Sequence, residues 1–260
     1  WSDLRRAESV TRHASTEDAL RCALKDADIV IAWEMDELLA EIDIPVVLVS
    51  HTTSWFPRPG TRAHLAAISE AAAAPFRDIG ETRVILSGVS VDRCLPRRSR
   101  QEMRDLWQSG QRTVLLAIGR LQKEKHLWTA DGVAQVSDTI QAVTVVESAE
   151  VKRLKILAAQ RDGKLILDGY TWNIGDYYSG ADFLVADSER ESFGNTIVES
   201  WMVGLPVLCR EGLGVVPEIE ERFGPMTLQI DDRATPEEIR DIILGFDRRA
   251  VLDMRINAQM

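Results

Sequence analysis

Short, continuous apolar runs alternate along the chain with longer segments whose apolar residues recur at helical spacing. The runs at 29–33, 46–49, 83–86, 114–118, 142–146, 164–167, 183–185 and 206–209 show no polar alternation. That pattern predicts strands covered on both faces, as in a parallel sheet. Helices are expected at roughly 16–27, 69–78, 148–161, 195–203 and 236–249. The last has a clear start, with Thr235 as N-cap, Pro236 at the first helical position and Glu237 and Glu238 in the first turn. Strands alternating with helices place the chain in the α/β class. One charge-rich stretch, Asp92 to Arg100 with Pro96 inside it, separates strands 83–86 and 114–118 and reads as a connection between two α/β units. The division expected is 1–91, a linker over 92–111, and 112–260.

Composition narrows the class. With 260 residues, 45% apolar and 28% charged, the chain has the proportions of a globular protein with a sizeable core. Its apolar runs, such as 45–49, fall well short of the ~20 residues a membrane helix needs. Cys22, Cys94 and Cys209 lie too far apart for a disulfide framework or a close-spaced zinc site, so a reducing, cytoplasmic setting is expected. No charged-then-apolar leader is seen at the start. A net charge of −10 argues against nucleic-acid binding, which needs a basic footprint. It leaves room for an anionic ligand held by one or two cations and a helix N-terminus.

Two stretches carry candidate chemistry. In Asp187 to Trp201, strand 183–185 runs into a loop containing Gly194, and a helix starts near Asn195. Such a loop presents unpaired N–H groups and the helix dipole to an anion. Ile197, Val198, Trp201 and Met202 share a helix face, which leaves Glu199 off the core side, free to bond a hydroxyl-bearing group such as a ribose. The plainer reading is an ordinary helix start. In the second stretch, Ala117 to His126, Arg120 and Lys125 follow the C-terminal end of a strand, where open α/β sheets bind ligands. They offer a planar fork and a point charge to phosphate oxygens, although basic residues there are commonly just solvated.

Taken together, Gly119-Arg120-Leu121 with Glu124-Lys125, and Glu191-Ser192-Phe193-Gly194 with Glu199 eight positions after Glu191, resemble the donor-binding half of retaining GT-B glycosyltransferases of family 4. Ser87-Gly88-Val89-Ser90, Gly180-Ala181-Asp182, Gly204-Leu205-Pro206-Val207 and Gly214 through Glu218 resemble further family signals in the same order, from about Ala27 to about Arg248. The resemblance implies two Rossmann-like α/β domains facing a cleft, the N-terminal one abbreviated. It implies transfer of a sugar from a nucleotide-diphosphate sugar to an acceptor hydroxyl of a glycan, lipid or small molecule. Arg120 and Lys125 would hold the diphosphate. Phe193, Gly194, Asn195 and Thr196 would lie against phosphate and sugar, Glu199 would bind the ribose and Glu191 would face the transferred sugar. Gly169, Tyr170 and Thr171 match the segment beside the base, and His51 a first-domain histidine facing sugar and acceptor; taken alone, His51 reads as a solvated loop residue. No metal and no cofactor are implied. A peripheral membrane contact is compatible with a lipid acceptor.

Several positions depart from the family pattern. Glu147-Ser148-Ala149-Glu150 stands where the family has a glycine-rich turn. His126 replaces a glycine and Asp187 a proline, and nothing before Asp28 resembles the glycine-rich loop that opens the family's first domain. An abbreviated first sheet leaves an open edge, which invites self-association. Two other functions fit the same pattern: a nucleotide-sugar binding module without efficient transfer, and a GT-B-type epimerase or hydrolase. A glycosidase pair made of Glu191 and Glu199 is disfavoured, since one falls in a loop and the other inside a helix. Asp26-Ala27-Asp28 satisfies an Asp-x-Asp metal pattern but precedes a strand, the wrong end for a ligand. Trp172, beside the base segment, is the tryptophan most worth testing.

Overall fold

A computed structural model describes residues 28–33, 44–53 and 63–247. The helix expected at 16–27, residues Asp26 and Ala27, Cys22 and the end of the helix expected to reach 249 lie outside them. Four strands, β1 (Val30–Trp33), β2 (Val46–Ser50), β3 (His64–Ala67) and β4 (Thr82–Val84), form a parallel sheet in that order. Strand β3 was not expected, because His-Leu-Ala-Ala has little intrinsic strand preference. Burial between its two neighbours overrides this: Leu65, Ala66 and Ala67 are all inside. The small side chain of Ala67 packs against Ala72 and Ala73 of the short helix α1 (Glu70–Ala73). The helix expected over 69–78 is therefore brief, continuing only as a 3-10 turn from Ala74 to Phe76. Pro75, which lacks an N–H, sits in that turn.

Six strands build the second sheet: β5 (Thr113–Arg120), β6 (Ile140–Glu147), β7 (Leu165–Gly169), β8 (Phe183–Ala186), β9 (Val207–Arg210) and β10 (Thr227–Ile230). All pairings are parallel, in the order β10-β9-β8-β5-β6-β7. Chain order reverses between β5 and β8, and such a switch point opens a crevice at the carboxyl ends of the strands. Successive residues of β5 serve opposite faces. Val114 and Leu116 join a core with α6 (Ile174–Gly180), α7 (Asn195–Met202) and α8 (Val216–Phe223). Leu115 and Ala117 join another with α4 (Thr129–Gln135), α5 (Val151–Ala158) and α9 (Pro236–Gly245). Helix α9 starts as expected, with Thr235 and Glu238 in a reciprocal capping box. Strand β10 went unanticipated: it is an edge strand of four residues with polar Gln229 exposed.

Half of the stretch 92–111 is ordered into helices, α2 (Val91–Cys94) and α3 (Arg100–Leu106). Met103 and Trp107, one turn apart, enter the core beside α6. Asp182, in the Gly-Ala-Asp signal, fastens α3 to the sheet by accepting from Arg104 at 3.0 Å, Arg100 at 2.5 Å and the Val114 N–H at 2.8 Å. Gly175 brings α2 onto the start of α6; a Cβ there would lie 2.5 Å from the Cys94 carbonyl oxygen. Among the described residues no helix is long and apolar enough to cross a membrane.

Candidate functional site

The crevice at the β5/β8 switch point collects most of the chemistry-bearing side chains. Arg120 closes β5; its side chain is exposed and forms no ion pair among the described residues. Beyond it a 3-10 turn from Lys123 to Lys125 turns the chain back, and His126 ends that turn in the left-handed region at φ 41°. This conformation explains why glycine suits the position in the resembling pattern. Lys125 Nζ donates to Glu191 Oε1 at 2.6 Å, and Ser188 Oγ donates to the same oxygen at 3.0 Å.

Helix α7 begins behind Gly194, which holds φ +90°. An alanine there would be strained, and its Cβ would press on Ile197 at 3.1 Å. Asn195 and Thr196, the first two residues of α7, line a cavity of about 290 Å³ with Arg120, Lys125, Glu191 and Glu199. Glu147 lines it too, paired in register with Arg120.

Glu199 corrects an expectation. It does not stand off the core side of α7: only 4% of it is exposed, while Val198 and Met202 are only partly buried. Tyr178 of α6 donates to Glu199 Oε2 at 2.6 Å, and Arg93 Nε of α2 lies 3.7 Å from Oε1. The helical spacing placed Glu199 correctly relative to its neighbours. It could not show that α2 and α6 close over that side. Burial, and then the Glu199 charge, hold the Tyr178 hydroxyl well above its ordinary value, so it remains a proton donor to the carboxylate.

Other expected site residues are distributed around this cavity. Tyr170 and Thr171 line it; Gly169 ends β7 just before them, against Val151. Phe193 is buried in the core beneath the loop, its carbonyl accepting from the Val215 N–H. Gly194 is buried as well. His51, after β2, lies in a neighbouring cavity of about 510 Å³ whose wall includes Arg120, Lys125 and Glu191. Its ring meets Trp33 edge-on at 6.2 Å. Two further contacts hold the first unit against the second: Ser69 Oγ donates to the Ser192 carbonyl in the glutamate loop, and the Glu70 N–H donates to Glu218 Oε1 of α8 at 2.7 Å. Sequence reasoning missed Arg93, which stood in a run that looked like a solvated connection.

The two substituted positions meet in space. His126 Nδ1 is 3.6 Å from Asp187 Oδ2, and Arg210 bridges them, at 2.7 Å to Asp187 and 2.8 Å to His126. Among the described residues no group of three or more His, Cys, Asp or Glu side chains is placed to hold a metal ion.

Over residues 112–244, a little more than half its length, the chain matches the family described as glycosyl transferases group 1. The chain belongs to the group 1 glycosyl transferases. A GDP-mannose-dependent alpha-mannosyltransferase of Mycobacterium tuberculosis (strain CDC 1551 / Oshkosh) is 26% identical over 127 residues, 49% of this chain and 33% of that protein. This glycosyl transferase chain thus spans about a third of that curated relative's length. Among solved structures, Anabaena Alr3699/HepE in complex with UDP and glucose superposes with a TM-score of 0.71 at 20% identity, covering 93% of this chain and 74% of that one. Sucrose-phosphate synthase from Thermosynechococcus elongatus gives a TM-score of 0.68 at 18% identity, over 93% and 72% of the two chains. At these identities the likeness shows the fold, a GT-B-like pair of parallel α/β units.

Proposed function

We propose that this group 1 glycosyl transferase transfers a hexosyl group from a nucleotide-diphosphate sugar to an acceptor hydroxyl, with retention of configuration and without a metal. One observation carries the reading: Arg120, Lys125, Glu191, Glu199 and the first amides of α7 converge on one cavity at the switch point. Arg120, Lys125 and the amides of Asn195 and Thr196 receive the diphosphate. Glu199 accepts from the two ribose hydroxyls, and Glu191 and His51 face the sugar from either side of the shared wall. As the bond between the anomeric carbon and the diphosphate breaks, negative charge grows on the leaving oxygen, and these cations and amides stabilise it. Such preorganised stabilisation is usually the largest catalytic contribution. The acceptor oxygen bonds to the anomeric carbon and its proton passes to the departing diphosphate. Residues 1–91 serve the acceptor side and 112–260 the donor, with 92–111 joining them. Two buried free thiols, Cys94 and Cys209, fit a cytoplasmic setting.

The experiment is a thermal-shift screen of nucleoside diphosphates and their sugars, followed by NMR of products with any donor that stabilises the protein. Product of retained anomeric configuration supports transfer. Free sugar without acceptor dependence points to hydrolysis, and a bound, unchanged donor to a binding module.

A further inference from the structure

We propose that Arg93 is a nucleoside-binding residue, its guanidinium receiving the base of the donor nucleotide between the Glu199 carboxylate and the rings of Tyr170 and Trp172. This rests on the donor reading above. The Arg93 Nε atom is buried and has no hydrogen-bond partner among the described residues. Its distance of 3.7 Å to Glu199 Oε1 allows attraction between charges but is too long for a hydrogen bond. A desolvated donor without an acceptor is rare in folded proteins and calls for an explanation, and an acceptor supplied by a ligand is one. The same guanidinium lies 5.9 Å from the ring centroids of both Tyr170 and Trp172. Those two rings are 57% and 67% exposed, although large aromatics are ordinarily well covered.

The placement suits a base. Tyr170 and Trp172 follow the end of β7, and β6 lies between β7 and β5. Two strand spacings separate the aromatic pair from Arg120, about 10 Å. A nucleoside spans a similar distance, so a diphosphate at Arg120 and Lys125 brings the ribose to Glu199 and the base to Arg93. A planar guanidinium stacks on a base face and offers only donors, matching carbonyl oxygens and ring nitrogens of a base edge. Exposed aromatic rings supply a second stacking surface. A lysine would give Glu199 the same charge without the plane or the donor fork.

Calorimetry with UDP, GDP and inorganic pyrophosphate tests this on wild type, Arg93→Ala, Arg93→Lys and the surface variant Trp172→Leu, with thermal melting as the folding control. The expected result is a loss of tenfold or more in affinity for the preferred nucleotide in both Arg93 variants, a smaller loss in Trp172→Leu, and pyrophosphate affinity within twofold of wild type throughout. Full recovery in Arg93→Lys would show a point charge that positions Glu199, and would overturn the base contact. Equal losses for nucleotide and pyrophosphate, or no loss, would also overturn it. If the Arg93 variants do not fold, unchanged nucleotide affinity in Trp172→Leu refutes the platform. Wild-type protein that binds pyrophosphate but neither nucleotide would refute the Arg93 assignment alone, whereas binding of none of the three would sink the donor reading itself.

Discussion

Replacing Glu191 by Gln should tighten the binding of a bare nucleoside diphosphate while lowering sugar transfer. Lys125 Nζ lies 2.6 Å from Glu191 Oε1, with side chains only 16% and 21% exposed. A diphosphate must therefore compete with a carboxylate for the cation and accept that carboxylate as a neighbour. For charges about 5 Å apart at an effective dielectric of ~20, the repulsion is about 3 kcal/mol. Partial exposure and salt reduce it, so a net gain of about 1–2 kcal/mol is expected on removing the charge, or ~5–30-fold in affinity. Calorimetry of wild type, Glu191→Gln, Lys125→Ala and the double variant closes a cycle. The gain should shrink in the Lys125→Ala background, because part of it comes from releasing Lys125. Weaker diphosphate binding in Glu191→Gln, or a gain indifferent to Lys125, would refute the competition. Transfer should fall despite tighter diphosphate binding, since Glu191 would no longer bond the sugar as an anion.

Other outcomes follow from the same geometry. Glu199→Gln should weaken nucleoside diphosphate binding roughly tenfold, as a charge-assisted bond worth about 1.5–3 kcal/mol is lost, yet leave pyrophosphate unaffected; calorimetry with both ligands checks it. Donor binding and turnover should persist in excess chelator, because two cations, Arg120 and Lys125, and the N-terminus of α7 line the cavity; restoration of lost activity by magnesium or manganese would contradict this. Stability should fall as pH rises past about 9. Burial, and then the Glu199 charge, push the Cys94 thiol up from 9.0 to about 11, and burial pushes Cys209 up to about 12. Both keep their protons in the folded state where the unfolded chain loses them, so the stabilisation is complete below pH 9 and disappears as pH climbs toward 11–12. A loss of several kcal/mol by the top of that window, at ~1.4 kcal/mol for each unit of pKa change, and a flatter profile for Cys209→Ala, should appear in urea unfolding. A profile independent of pH would refute it.

How legible the protein was in its sequence depended on how far each signal reached. Continuous apolar runs such as 114–118 and 142–146 report burial on both faces and marked the central strands of the second sheet well. The first sheet was harder, because β3 is made of Leu65 and two alanines that become strand only between neighbours supplied from elsewhere. Arg120, Lys125, Glu191 and Glu199 stood out since each follows a strand or lies early in the helix behind the glycine loop, and those local positions fix their ends of the cleft. Arg93 did not. Its neighbours Arg97, Arg98 and Arg100 are exposed and resemble solvated charge. The packing of α2 on α6 and α7 brings Arg93 to Glu199, and its close approach at Gly175 joins residues about 80 positions apart. The burial of Glu199 was hidden for the same reason.

On the proposed function, the cleft at the β5/β8 switch point holds the donor by its diphosphate and ribose. A crystal structure of the protein with the nucleoside diphosphate that stabilises it most tests this directly. Phosphate oxygens are expected within hydrogen-bonding distance of Arg120, Lys125 and the Asn195 and Thr196 amides, with the ribose hydroxyls on Glu199. A nucleotide bound elsewhere, or in this cavity with its ribose at Arg120 and its phosphates at Tyr170, would contradict it.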